Sequence, residues 1–290
     1  MARRSVTQSD PRSAPNGLDV ASNRNLMLRI ASAVLLVPLA IGTAYLGGWA
    51  FAAFWCVAAL AVWWEWTRLL GFGTASPAVV LGFGTLVALA PLVLNGYGPL
   101  AWLAAASAAI VIAVLAPQHR VWAGVGMAYA GALLIATLAL RQDEIAGFVA
   151  ILFLFAVVWM TDIFAYFVGR AVGGPKLAPS VSPKKTWSGS IGGVLAAAAA
   201  GLAVLRPSGP EAMTKLALII LLLSAVSQAG DLFESRLKRA FHVKDASTLI
   251  PGHGGVMDRL DGFMAAVVVA YVLGVVRNGW DAPAQGLVRW

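Results

Sequence analysis

The carboxyl-terminal part of this 290-residue chain carries acidic side chains at helical spacing. In GDLFESRLKR, Asp231, Glu234, Ser235 and Lys238 stand at i, i+3, i+4 and i+7 and share one helix face. In HGGVMDRLDGF, Asp258 and Asp261 stand at i and i+3, just before the apolar run MAAVVVAYVLGVV. If these two helix ends meet, Asp231, Asp258 and Asp261 converge. Converging carboxylates repel unless something positive lies between them. A pair of hard oxygen ligands, completed by water and substrate phosphates, is the usual way Mg2+ is held. The spacing leaves a second reading open. The acids could pair with Lys238, Arg239, Lys244 and Arg259, or cap a helix dipole from its first turn.

A second polar stretch, GRAVGGPKLAPSVSPKKTWSGSIGG, is broken by glycines and prolines and excludes a continuous helix. Ser182, Lys184, Lys185 and Thr186 precede a glycine-rich helix start, a combination suited to phosphate. An ordinary basic loop is the competing reading, and no stretch fits the Walker A pattern. His253 stands between glycines, where the backbone can approach a ligand closely. A lone histidine is more often a hydrogen-bonding loop residue, and His119 and His242 read as surface residues. Two acids fall inside apolar runs, where ionisable groups line cavities or pair. Asp162, in WMTDIFAYFVGR, lies about two turns from the inner end of its helix and can reach the same cavity. Glu65, in WWEW, stands three residues before Arg68 and is expected to pair with it. Trp63, Trp64 and Trp66 read as an interfacial aromatic belt.

The elements that position these groups follow from composition. The chain is 60% hydrophobic and 12% charged, with a mean hydropathy of +0.80. A soluble domain averages about 25% charged residues, so this chain reads as an all-α, polytopic integral membrane protein. Only helices satisfy their backbone in lipid without closing a barrel. Nine spans are expected, near 27–46, 49–69, 77–94, 98–116, 121–140, 145–168, 188–205, 214–233 and 262–278. The first reads as a retained helix rather than a cleaved signal. Residues 1–25 read as a disordered basic tail, and 26–290 as one membrane domain. Most of the 21 Lys and Arg fall on one side when the amino terminus is placed in the cytoplasm. That orientation puts loops at about 169–187 and 234–261 on the cytoplasmic face. The net charge of +8 then reflects cytoplasmic loops, anionic lipid or a phosphorylated substrate, not nucleic acid. Cys56, the single cysteine, sits in an apolar run and reads as packing.

The segment SRLKRAFHVKDASTLIPGHGGVMDRLD resembles the signature of the phosphatidate cytidylyltransferases. The matching positions are Ser235, Lys238, Arg239, Lys244, Asp245, His253, Gly254, Gly255, Asp258, Arg259 and Asp261. DIFAYFVGR followed by KLAPSVSPKKTW is similar to that family's second hallmark. The resemblance covers roughly residues 160–263. One position departs from it: members commonly carry Glu after the Trp of that loop, where this chain has Ser188.

The resemblance implies an enzyme of a bacterial cytoplasmic membrane that converts CTP and phosphatidic acid to CDP-diacylglycerol and pyrophosphate with Mg2+. It also implies that a homodimer is possible. On that footing Asp231, Asp258 and Asp261 are the expected metal ligands, while Lys238, Arg239, Lys244 and Arg259 neutralise the triphosphate and leaving pyrophosphate. Ser182, Lys184, Lys185 and Thr186 are expected to bind phosphate, and Ser235, His253, Gly254 and Gly255 to shape the nucleotide site. Asp162 is expected to line it. A transporter with an intramembrane carboxylate relay is the rival class, but the paired broken helices of such repeats are not seen. A CDP-alcohol phosphatidyltransferase would need an arginine that DGFMAA lacks.

Overall fold

A computed structural model describes residues 32, 34–243, 245–247, 249–250 and 254–290. In chain order the elements are α1 (Val34–Leu46), α2 (Gly48–Leu69), α3 (Pro77–Leu94), α4 (Gly98–Leu115), α5 (Arg120–Arg141) and α6 (Gly147–Val172). A two-stranded hairpin follows, β1 (Lys176–Ala178) and β2 (Ser182–Thr186), then α7 (Trp187–Leu205), α8 (Pro210–Ala240), α9 (Met257–Asn278) and α10 (Pro283–Val288). Among the described residues eight helices, α2 to α9, are long and apolar enough to cross a membrane. The expected span at 27–46 is described only over α1, which falls short of the ~20 residues a crossing needs. The expected tail, residues 1–25, lies outside the described residues.

Helix α5 is the centre of the bundle: 72% of its apolar stretch is buried, against 22% for α4 and for α7. Small residues let neighbours approach it, as in other membrane bundles. A Cβ on Gly126 would lie 2.3 Å from the Trp66 indole, and one on Gly82 of α3 would meet Trp63 at the same distance. Both indoles are buried; Trp63 donates to Val79 O at 3.1 Å and Trp66 to Trp122 O at 2.8 Å. The belt expected for these two residues is therefore an interhelical wedge. Its period matches a buried face as well as an interfacial one.

The glycine-rich stretch 188–205 forms α7, packed closely along α6. Cβ atoms on Gly189 and Gly193 would meet Ala165 O at 2.5 Å and Thr161 O at 2.6 Å. The glycines that weaken helix propensity are here the contact surface. An aromatic cluster ties α2, α6 and α9 together, with Trp55 4.9 Å from Phe263 and Phe155 5.5 Å from Phe263.

Two expected loops are shorter than the sequence suggests. Helix α8 runs for 31 residues, beyond the ~20 of a crossing, so residues 234–240 are helix and the connection is 241–256. The stretch 169–187 begins as the end of α6 and then forms the hairpin, with Lys176 opposite Thr186 and Ala178 opposite Ser182. A lone hairpin is marginal in water. This one is anchored where Trp187 N donates to Pro175 O at 3.1 Å, and Pro183 is tolerated because the strand is an edge.

Candidate active site

The end of α6, the hairpin, the start of α7, the extension of α8 and the first turn of α9 enclose a cavity of about 540 Å3. That volume is within the range of small-molecule sites. Its acidic lining is Asp162, Asp231, Asp258 and Asp261. Its basic lining is Arg170, Lys176, Lys184, Lys185 and Arg259. Helical periodicity explains why α8 and α9 both present acids here. Close α8–α9 packing brings the faces together, with a Cβ on Gly230 only 2.6 Å from Asp261 O.

The acids are held differently. Asp231 forms an ion pair with Lys185 and receives a long hydrogen bond from Ser235 Oγ at 3.4 Å. Asp261 accepts its own following amide, Gly262 N, at 2.7 Å. Asp258 is engaged through both oxygens. Oδ1 pairs with Lys238, and Oδ2 accepts the amides of Ala246 at 3.0 Å and Gly255 at 2.8 Å. Lys238 Nζ also lies 3.1 Å from Glu234 Oε1, and that carboxylate is buried. Neither oxygen of Glu234 has a hydrogen-bond partner among the described residues, so the approach of Lys238 is the contact that offsets its burial.

On the opposite wall Thr186 lines the cavity and is also the N-cap of α7, its Oγ1 accepting Gly189 N at 3.2 Å. Ser188 stands where the related family commonly has Glu. Its hydroxyl donates to Gly173 O and lies 3.1 Å from Thr186 Oγ1, closing the base of the hairpin.

The structure thus gathers Asp162, Lys184, Lys185, Thr186, Asp231, Asp258, Arg259 and Asp261 around one space. Ser182, Ser235, Lys238, Arg239, Gly254 and Gly255 lie outside its lining. Ser182 begins β2, and Arg239 donates to Val243 O at 3.3 Å. Lys244 and His253 lie outside the described residues. Sequence reasoning did not single out Tyr166, Arg170, Lys176 or Gln228, which also line the cavity. Arg170 and Tyr166 are one helical turn apart, with Arg170 Nη1 3.4 Å from the Tyr166 hydroxyl, so the 3.6-residue period from Asp162 was the available signal.

Glu65 corrects another expectation. It does not pair with Arg68, whose guanidinium lies 5.1 Å over the Trp64 ring. Glu65 reaches instead to the far end of the chain, accepting from Ser247 Oγ at 2.5 Å, Val256 N at 2.8 Å and Met257 N at 2.7 Å.

The donor set suits a hard divalent cation. Its acids are carboxylates only, and among the described residues no three His, Cys, Asp or Glu form a ready-made metal cage. Mg2+ is typically bound in this way, by one or two carboxylates with substrate phosphates supplying the rest. The surrounding lysines and arginines suit the phosphates themselves.

A model described as the cytidylyltransferase family matches residues 27–276. The chain is 42% identical over 262 residues to the phosphatidate cytidylyltransferase of Brucella suis biovar 1, covering 90% of this chain and 97% of that protein. It is 38% identical over 276 residues to the phosphatidate cytidylyltransferase of Pseudomonas aeruginosa, covering 89% of this chain and all of the relative. A shorter match, 42% over 135 residues, links it to the phosphatidate cytidylyltransferase of Bacillus subtilis, half of whose length is covered. With most of its length matched and an acid-and-base cavity formed by its most distinctive motifs, the chain belongs to the cytidylyltransferase family.

Proposed function

We propose that the protein transfers CMP from CTP to phosphatidic acid, giving CDP-diacylglycerol and pyrophosphate. The observation that carries this reading is the cavity in which Asp231, Asp258 and Asp261 face Lys184, Lys185 and Arg259 at one end of a membrane bundle. A lipid phosphate and a water-soluble triphosphate can meet only at such a boundary. The orientation follows from the same argument. CTP is cytosolic and the Lys/Arg bias is positive-inside, so the cavity faces the cytoplasm. We extend the reading to a homodimer in the bilayer, as the family resemblance implies; the mass of the detergent-solubilised particle tests it.

The reaction asks little of a base. A phosphomonoester has a second pKa of about 6, so the lipid phosphate is already largely ionised at neutral pH. Its oxygen attacks the α-phosphorus of CTP, the bond to the β-phosphate oxygen breaks, and pyrophosphate leaves with that electron pair. The obstacle is repulsion between two anions, so catalysis is positioning and charge neutralisation. Lys184, Lys185 and Arg259 offset phosphate charge, with Arg170 and Lys176 at the hairpin wall. Asp231, Asp258 and Asp261 are the proposed holders of Mg2+, with Lys238 fixing Asp258. When bound, Mg2+ supplies charge neutralisation across the triphosphate.

The test is conversion of radiolabelled CTP and phosphatidic acid by purified protein with and without Mg2+. Label recovered in lipid only with Mg2+ supports the reading; no lipid label under either condition refutes it.

A further inference from the structure

Glu65 is fully buried, with 0% of its side chain exposed, although it lies one turn from the end of α2. Its three hydrogen bonds among the described residues all go to residues 182 to 192 positions later. Two are backbone amides at the start of α9, whose own N-cap, Val256, contributes no side-chain bond. The first amides of a helix need an acceptor, and a carboxylate there also matches the helix dipole. Helix α2 therefore caps α9 from outside.

The same connection is tied on its other flank by Asp258, through Ala246 N and Gly255 N. Two carboxylates thus share the amides of one short segment, and Lys238 closes the network on Asp258. The glycine pair of the HGG motif fits between them. A Cβ on Gly255 would lie 2.6 Å from Glu65 Oε1 and 2.8 Å from Oε2. Gly254 has φ +84, a left-handed conformation that favours glycine, with Asp258 Oδ2 3.0 Å from a Cβ placed there. The close approach that Gly255 permits is to an internal acid.

We propose that Glu65 is a positioning residue that holds Ser247, Val256 and Met257, and with them the first turn of α9, so that Asp258 and Arg259 face the cavity. The proposal rests on reading that cavity as the site of cytidylyl transfer. Glu65 itself does not touch substrate; it acts through the amides it binds.

The test uses the full-length protein in detergent with Glu65→Ala, Glu65→Gln, Gly255→Ala and the double variant Glu65→Ala/Gly255→Ala. Two quantities are measured: CTP-dependent lipid labelling, and amide hydrogen exchange of the 246–257 segment without substrate. Glu65→Ala is expected to lower kcat/KM by roughly 10- to 100-fold, as a small displacement of a catalytic wall does. Exchange should speed up in 246–257 while α5 and α6 exchange as in the wild type. Glu65→Gln keeps one of the two acceptor oxygens and should fall between wild type and Glu65→Ala. Gly255→Ala should reproduce the defect. The double variant should be no worse than Glu65→Ala, because the added methyl then has room.

Unchanged exchange in 246–257, exchange raised equally in α5 and α6, strictly additive single-variant defects, or rates within twofold of wild type would each overturn the proposal. Should wild-type protein fail to label lipid, the functional reading fails, while the exchange pattern and its non-additivity still decide whether Glu65 holds the segment.

Discussion

Lys185 on β2 and Asp231 on α8 form an ion pair across the cavity, joining the hairpin wall to the acidic wall. Both side chains are only partly exposed, at 27% and 29%. The pair brings a candidate phosphate ligand and a candidate metal ligand within contact of each other. On the proposed function, substrate binding exchanges this pair for phosphate on Lys185 and metal on Asp231. Asp231→Asn and Lys185→Ala should each lower kcat/KM about 100-fold, the scale set by losing one preorganised electrostatic contact. The double variant should fall well short of the product of the two losses, because neighbours in one network do not add. Steady-state CTP kinetics of the three proteins measure this.

Lys238 holds two acids at once, Glu234 and Asp258, and all three side chains are largely buried. Replacing one partner of a buried pair leaves uncompensated charge, which costs about 3–5 kcal/mol. Lys238→Met should therefore destabilise the protein on that scale, beyond any effect on rate. Unfolding in detergent monitored by far-ultraviolet circular dichroism reads the loss. A midpoint equal to that of wild type would remove Lys238 from the network.

The α6–α7 seam admits little beyond a hydrogen at Gly193, where a Cβ would sit 2.6 Å from Thr161 O. Gly193→Val should cost about 1–3 kcal/mol by overpacking, whereas Gly84→Ala, with no atom within 4 Å of the added methyl, should be tolerated. Thermal unfolding of the two variants side by side separates a seam effect from a general intolerance of helix changes.

At the opposite end of the bundle, Asp143 in the α5–α6 connection accepts Gln285 Nε2 at 2.6 Å and Ala146 N at 2.6 Å. Partial burial pushes its carboxyl upward, but the bonds from Ala146, Gln285 and Ile145, with the Arg289 charge, pull it below the ordinary value. A depressed folded-state pKa adds stability that is complete above the unfolded value of about 3.9 and is lost as pH falls through the folded value. The stability gap between wild type and Asp143→Asn should be constant near neutrality and shrink below about pH 4. A gap independent of pH would exclude the carboxylate as its source.

Some of this organisation was readable in the chain. The acids of α8 and α9 were legible because helical spacing places Asp231, Glu234 and Lys238, or Asp258 and Asp261, on one face whatever the tertiary fold. Lys184 and Lys185 were legible as basic residues beside a helix start. The partners were not. Whether Asp231 meets Lys185, or Glu65 meets Met257, depends on how distant helices pack, and local spacing carries no such information. Glu65 and Arg68 satisfied a short-range rule that the packing overrode. Trp63 and Trp66 match an interfacial belt by residue type, and only Gly82 and Gly126 across the interface make them wedges. The hairpin was hidden because three strand residues before a turn leave little alternation to read.

The fate of the α-phosphate distinguishes cytidylyl transfer from transfer of the terminal phosphate. Purified protein, phosphatidic acid and Mg2+ are supplied with CTP labelled at the α- or the γ-phosphorus, beside the same assay on Asp231→Asn. Cytidylyl transfer at this cavity should leave α-label in the lipid fraction and γ-label only in pyrophosphate, with an Asp231→Asn rate about 100-fold lower in folded protein. Lipid label from the γ-position, none from the α-position, or a folded Asp231→Asn at the wild-type rate would contradict it.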